Sequence, residues 1–262
     1  MAQTLIAHYN FNDNDNTLVH DFSVNEWHST SETGLTISTD SGATGKVGVF
    51  NGTTTTLNFG NITDFNSITG FSAVFKVNFS SFWGSGTALF ASVQNLFEIQ
   101  FSTAGVPIFY FYDSTSSAHN LTASDPLDLN TWYTIVITWD GENINYYNGS
   151  SDVLDTAGAA DPSFDTSGSD FKLMDSARLA CKVEVVSFYS KALSTDEIDT
   201  IMENPSGIQY EAGDGMIQTG DLIYNNSGGK EVCTWTEEFD EMEFSDNEEQ
   251  LFADGELQIF KN

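Results

Sequence analysis

The sequence predicts an all-β protein built as a sandwich of two packed antiparallel sheets. Three observations predict it. Apolar residues recur mostly at period two in runs of five to eight, the spacing that turns one strand face to a core and the other to water. Clusters of Gly, Asn, Asp, Ser and Thr separate these runs, among them Asn51-Gly52, Asp140-Gly141 and Asn148-Gly149, where glycine tolerates the positive φ of a hairpin turn. Strands this numerous, with one helix signal among them, call for two sheets facing each other across a shared core.

The expected strands follow in order. Leu5–Phe11 opens the chain, and Val47–Phe50 and Thr55–Phe59 flank the Asn51-Gly52 turn. Gly70–Val77, Leu89–Val93 and Phe97–Phe101 come next. Val106–Tyr112 ends in Phe109-Tyr110-Phe111-Tyr112, aromatic on both faces, so another layer, the tail or a second subunit must cover one of them. Trp132–Trp139 and Asn143–Tyr147 form a hairpin about Asp140-Gly141, and Trp132 and Trp139 are assigned to the core. Phe171–Met174 and Lys182–Tyr189 close the sandwich. Ser194-Thr195-Asp196-Glu197 is a capping box, so a helix should run from there to about Asn204, where Pro205 and Gly207 stop it.

Composition shifts at that point. The chain of 262 residues carries 38 acidic and 8 basic side chains, a net charge of −30. Residues 205–262 hold 14 acids and 2 bases, a net of −12, and the domain boundary is placed there: a sandwich over residues 1–204 and an acidic extension over residues 205–262. Within the extension Met216–Tyr224, Glu231–Thr236 and Leu257–Phe260 read as short strands around a densely acidic middle, Glu237–Glu256. It folds as a small β-appendage or becomes ordered against a partner.

Charge also excludes function classes. With a single arginine, Arg178, the chain cannot track a phosphate backbone, and anionic lipid would repel it. Nucleic acid is therefore not an expected partner, and with no long apolar run neither is membrane insertion. Neutral glycans, cationic groups and metal ions remain. The segment MAQTLIAHYNFND lacks a basic n-region, so export through a Sec signal is not expected. Cys181 and Cys233 read as free thiols, a single bridge between them being the alternative. His8, His20, His28 and His119 have no Ser-Asp arrangement near them and read as surface or loop histidines.

Several segments, in order, resemble the laminin-G-like members of the concanavalin A-like lectin/glucanase superfamily. Leu5 to Asp13 followed by Asp21-Phe22-Ser23 resembles its first strand and Asp-x-Ser turn, and Gly45-Lys46-Val47-Gly48-Val49-Phe50-Asn51-Gly52 resembles its Gly-Lys-x-Gly hairpin. Asn130 to Gly141, with Tyr146-Tyr147-Asn148-Gly149, is the most specific match, and Ala192-Leu193-Ser194-Thr195-Asp196-Glu197-Ile198 resembles the closing helix. Glu184 stands where the family has an Asp. The resemblance implies a jelly roll of two antiparallel sheets. It implies no reaction, since this fold hosts lectins, glucanases and structural modules.

The resemblance further implies a calcium site near the first loop and the closing strand, for which Asp13, Asp15, Asp21 and Glu184 are the candidate ligands. Glycan binding needs exposed aromatics for stacking, and Trp27 and Trp83 in loops, then Tyr110 and Tyr112 if their strand faces outward, are the candidates. A retaining glycosidase needs a close carboxylate pair. Glu197 to Glu203 has the wrong spacing and lies in the capped helix, and Glu238 to Glu243 follows the closing strand, so no catalytic residue is assigned. The expected function is non-enzymatic recognition of a glycan or host-surface receptor, on the surface of a virus particle or similar extracellular assembly. Residues 205–262 would contact other structural proteins or a second copy. A carbohydrate-binding module is the alternative, and a glucanase-like hydrolase the third reading.

Overall fold

The computed structural model describes residues 5–12, 18–23, 25–65, 68–93, 96–112, 117–158, 170–175 and 178–205, together with the strands of residues 216–259. The chain divides into two compact units, Gln3–Gly207 and one that holds Ile208–Asn262.

The first unit contains β1 (Leu5–Tyr9), β2 (Ser31–Thr33), β3 (Thr36–Thr39), β4 (Lys46–Asn51), β5 (Thr56–Gly60) and β6 (Phe71–Ser81). β7 (Thr87–Val93), β8 (Phe97–Ser102), β9 (Pro107–Tyr112), β10 (Ala118–Thr122) and β11 (Trp132–Trp139) follow. β12 (Asn143–Asn148), β13 (Asp155–Gly158), β14 (Phe171–Leu173), β15 (Ala180–Tyr189) and α1 (Thr195–Glu203) complete it. An eight-stranded sheet has the order β13-β12-β11-β6-β15-β4-β3, with β1 also pairing β15, and a seven-stranded sheet has the order β10-β9-β8-β7-β14-β5-β2. Every pairing is antiparallel, and the whole is a jelly-roll sandwich.

One side of each strand meets the other sheet. Phe71, Phe75 and Phe79 of β6, Phe97 and Phe101 of β8, Phe171 of β14 and Phe188 of β15 fill the shared core. Their rings meet mostly tilted or edge-on, as with Phe75 and Phe90 at 5.1 Å and 84°, the arrangement their quadrupoles favour. Trp139 is buried there, but Trp132 is not. Seven positions apart on a period of two, the two tryptophans fall on opposite faces, which corrects the assignment of both to the core. Trp132 lies half-buried on the outer face of the eight-stranded sheet, where its Nε1 donates to Asp40 Oδ1 at 3.0 Å.

The glycines of the Gly45-Lys46-Val47-Gly48 segment are required by close approach. A Cβ on Gly45 would stand 2.6 Å from Asn12 Oδ1, and one on Gly48 would stand 2.6 Å from the Phe11 ring. Their absence lets the end of the first strand lie against β4, where Asn12 Oδ1 accepts from Lys46 N at 2.8 Å.

α1 starts as its capping box requires. Ser194 Oγ accepts from Glu197 N at 3.4 Å, and Glu197 Oε2 accepts from Ser194 N at 2.7 Å. Lys191 pairs with the other carboxylate oxygen of Glu197 at 2.6 Å, which commits this side chain to structure. Ser72 of β6 donates to Lys191 O and accepts from Leu193 N, so the segment entering α1 is tied to the outward side of β6.

Two further expectations on single residues are settled by burial. His8 is fully buried in β1 with Nδ1 2.8 Å from Ser187 Oγ, because β1 is covered on both faces and its polar positions must find partners inside; it is not a surface histidine. Cys181 is a buried free thiol, its pKa pushed well above the usual value by burial.

Four strands carry no alternating apolar run and were not expected: β2, β3, β10 and β13. They stand at the two ends of each sheet order. In the second unit, β16 (Met216–Thr219), β17 (Leu222–Asn225) and β18 (Val232–Cys233) form one three-stranded sheet. The stretch Met216–Tyr224 is thus a hairpin instead of one strand, while Glu231, residues 234–236 and Phe260 lie outside the described residues. A second sheet joins β19 (Glu241–Glu243) and β20 (Glu249–Phe252), both in the acidic middle that showed no strand pattern, to β21 (Leu257–Ile259), which falls in the expected strand Leu257–Phe260.

Candidate binding face

Strand β9 decides the geometry. Phe109 and Phe111 point into the core, against Tyr146 at 5.4 Å and Trp139 at 6.3 Å, so Tyr110 and Tyr112 point out, each half-buried. The strand faces outward as the glycan-binding reading requires, and the sandwich itself, through its second sheet, covers the other aromatic face.

Register then sets what lies beside the tyrosines. Tyr110 stands opposite Asn120 of β10 on one side and Glu98 of β8 on the other. Glu98 stands opposite Ser92 of β7, Ser92 opposite Lys172 of β14, and Lys172 opposite Asn58 of β5. A row of aromatic and hydrogen-bonding side chains thus crosses the outer face of the seven-stranded sheet, with Ser92 buried within it. Gln100 Nε2 donates to Glu98 Oε2 at 2.6 Å, and the Tyr112 hydroxyl donates to the same carboxylate. Burial, then the charge of Glu98, pushes the Tyr112 pKa up to about 12. At the far end Lys172 pairs with Asp175 at 3.2 Å and Asn58 Nδ2 donates to Asp170 at 2.8 Å.

The two loop tryptophans are held apart from this row by their own partners. Trp27, half-buried, donates its backbone N–H to Asp21 and its Nε1 to Asp64, each at 2.8 Å, and its carbonyl accepts from Tyr9. Trp83 carries the Arg178 guanidinium 3.9 Å above its ring, so one stacking face is already taken. The residues that complete the row, Glu98, Gln100, Asn120 and Ser92, were not singled out in the sequence. Their outward position in the alternation is the signal that could have found Glu98 and Gln100; their place beside Tyr110 depends on register.

Of the four calcium candidates the structure describes Asp21 and Glu184, and each is held by its own partners. Asp13 and Asp15 lie outside the described residues. Asp21 is buried, and its oxygens accept from His8 N, Ser23 N, Ser23 Oγ and Trp27 N at 2.7–2.8 Å, which builds the Asp21-Phe22-Ser23 turn. Burial raises its pKa against the pull of those four hydrogen bonds. Glu184 sits at a bulge in β15, where the neighbour changes from β4 to β1. Its carboxylate pairs with Lys76 at 2.8 Å and accepts from Thr44 and Gly45. Burial alone would raise its pKa, and the ion pair and Thr44 outweigh that and lower it. With four N–H or O–H donors on Asp21, and an ammonium group and three such donors on Glu184, the two do not fit calcium ligands. Among the described residues, no three His, Cys, Asp or Glu side chains are grouped to hold a metal.

The laminin G-type profile of the concanavalin A-like lectin/glucanases superfamily matches residues 50–199, which span β5 to β15 and most of α1. The chain belongs to this superfamily. No curated protein matches it. Among solved structures it is similar to the binding domain of Paraclostridial Mosquitocidal Protein 1, with a TM-score of 0.62 and 13% identity over 76% of this chain and 52% of that one. It is also similar to the receptor binding domain of botulinum neurotoxin C/D mosaic serotype, with a TM-score of 0.59, 15% identity and 76% and 51% coverage. The botulinum neurotoxin type G receptor binding domain gives a TM-score of 0.58 and 12% identity over 76% of this chain and 51% of that chain. The chain spans about half the length of these domains. The likeness is one of fold: this superfamily member shares its jelly roll with domains named for binding.

Proposed function

We propose that the protein is a non-enzymatic recognition domain that binds a glycan of a host surface on the outer face of its seven-stranded sheet. The observation that carries this reading is the pair Tyr110 and Tyr112, turned outward beside Glu98, Gln100 and Asn120. Half-exposed rings offer apolar faces to sugar C–H groups, and the amide and carboxylate groups next to them meet hydroxyls. A retaining glycosidase would need two facing carboxylates, and among the outward positions of β7 to β10 the row offers Glu98 alone.

A glycan array probed with the whole chain tests this. Binding of at least one glycan class, lost in Tyr110→Ala with the melting temperature kept, is expected; binding unaffected by that substitution, or cleavage of the bound glycan, overturns the reading. The finer proposal places the domain on a virus particle with residues 205–262 as the attachment arm. The segment's net charge of −12 supports a cationic docking partner, and the attachment should weaken as salt rises. Co-sedimentation of the chain with particles, lost on removing residues 208–262, is the expected result.

A further inference from the structure

We infer that the glycan taken by this face carries protonated amino groups, an amino-sugar oligomer in its unacetylated form. The inference rests on the binding-face reading above and adds the charge of the ligand.

Glu98 lies mid-row, and the partners it has are hydrogen donors without charge, Gln100 and the Tyr112 hydroxyl. Among the described residues no basic side chain pairs with it. Lys172, the cation placed in the same row, is two strands away beyond Ser92 and is engaged by Asp175. Four other cations of the sandwich are committed, Lys76 to Glu184, Lys182 to Asp40, Lys191 to Glu197 and Arg178 to the Trp83 ring, and Lys46 lies on β4 of the other sheet. A carboxylate left without a counter-charge beside Tyr110 and Tyr112 is suited to an ammonium group, which the ring faces attract and the carboxylate neutralises. The rest of the molecule favours the same sign, since a chain of net charge −30 steers cations toward itself and repels sulfated or carboxylated glycans.

The shape of the row selects an oligomer over a single amine. From Asn120 on β10 to Lys172 on β14 it crosses five adjacent strands, roughly 19 Å at about 4.8 Å per strand spacing. Several sugar units lying across the strands would meet Asn120, Tyr110 and Glu98 in turn and pass over the buried Ser92 toward Lys172.

The test titrates the full chain with a glucosamine hexamer, the fully N-acetylated hexamer and a sulfated hexasaccharide by calorimetry. The free-amine hexamer should bind about tenfold more tightly than the acetylated one, a difference worth about 1.4 kcal/mol, and the sulfated one should not compete. The preference should fade as pH rises through the pKa of the sugar amine, while binding of the acetylated hexamer stays flat. Glu98→Gln should abolish the preference, whereas Glu142→Gln, at an exposed turn elsewhere, should keep it. A preference that survives Glu98→Gln is the pull of the net charge on any polycation and overturns the inference. Equal binding of both neutral and cationic hexamers, lost in Tyr110→Ala, also overturns it but leaves the binding-face reading standing. Binding of no hexamer, with glycans of other classes bound and lost in Tyr110→Ala, does the same. Binding of no glycan at all defeats both.

Discussion

On the outer face of the eight-stranded sheet the carboxylates Glu184 and Asp40 are each paired with a lysine, whereas on the outer face of the seven-stranded sheet Glu98 has only uncharged partners. Lys76, Glu184 and Thr44 form one closed group, and Lys182, Asp40 and Trp132 another, with Asp40 held down to about 2 by Lys182, Gly42 and Trp132. Val74 and Val136, opposite each other at outward positions of β6 and β11, are buried, and Ser72 ties the approach to α1 onto the same face. Across the core, Tyr110, Tyr112, Glu98 and Gln100 are all half-exposed. One alternation rule makes both faces, and what distinguishes them is whether the central carboxylate finds a cation inside the chain. The closed face holds the fold together; the open face has hydrogen-bonding capacity and ring surface left for a ligand.

The comparison can be broken most forcefully at the core both faces share. Trp139→Ala should cost about 3 to 5 kcal/mol in denaturant unfolding, since the ring is 2% exposed and packs against Phe111. A near-neutral result would mean that β11 presents its other face and that the two outer faces are misassigned.

Lys76→Met comes next, at about 3 kcal/mol near neutral pH, because it leaves Glu184 charged and buried. The pH dependence has a defined sign. The folded pKa of Glu184 lies below the unfolded value of about 4.3, so its contribution is complete above that pH and is lost as pH falls through the lower folded value. Without Lys76 burial dominates and the carboxyl moves up, so the variant's deficit should narrow between pH 7 and pH 4. A deficit that stays constant over that range would show that the pair does not close this face.

A smaller effect is expected from Ser194→Ala, about 1 kcal/mol, through loss of the cap that starts α1. Thermal unfolding followed by circular dichroism reads it. The smallest shifts belong to the open face. Tyr112→Phe and Glu98→Gln should each change stability by no more than about 0.5 to 1 kcal/mol, and the first should remove the phenol that titrates near 12 from an ultraviolet pH titration. If either variant cost as much as Lys76→Met, the open face would be structural and the contrast would fail.

The sandwich, eleven of the fifteen strands of its unit and the capped helix were legible in the sequence. Strands whose neighbours cover one face must alternate, and a capping box is complete within four residues, so both are written locally. The four strands it did not show, Ser31–Thr33, Thr36–Thr39, Ala118–Thr122 and Asp155–Gly158, stand at the two ends of each sheet order. An edge strand is short and polar because apolar edges invite aggregation, so tertiary pairing and not pattern makes it a strand. The candidate site divides along the same line. That Tyr110 and Tyr112 share a face follows from period two in the sequence. That Glu98 stands opposite Tyr110 while Glu184 is locked to Lys76 was decided by strand register, because a shift of one residue in either ladder would exchange inside for outside, and register is set by how the two sheets bury their rings against each other.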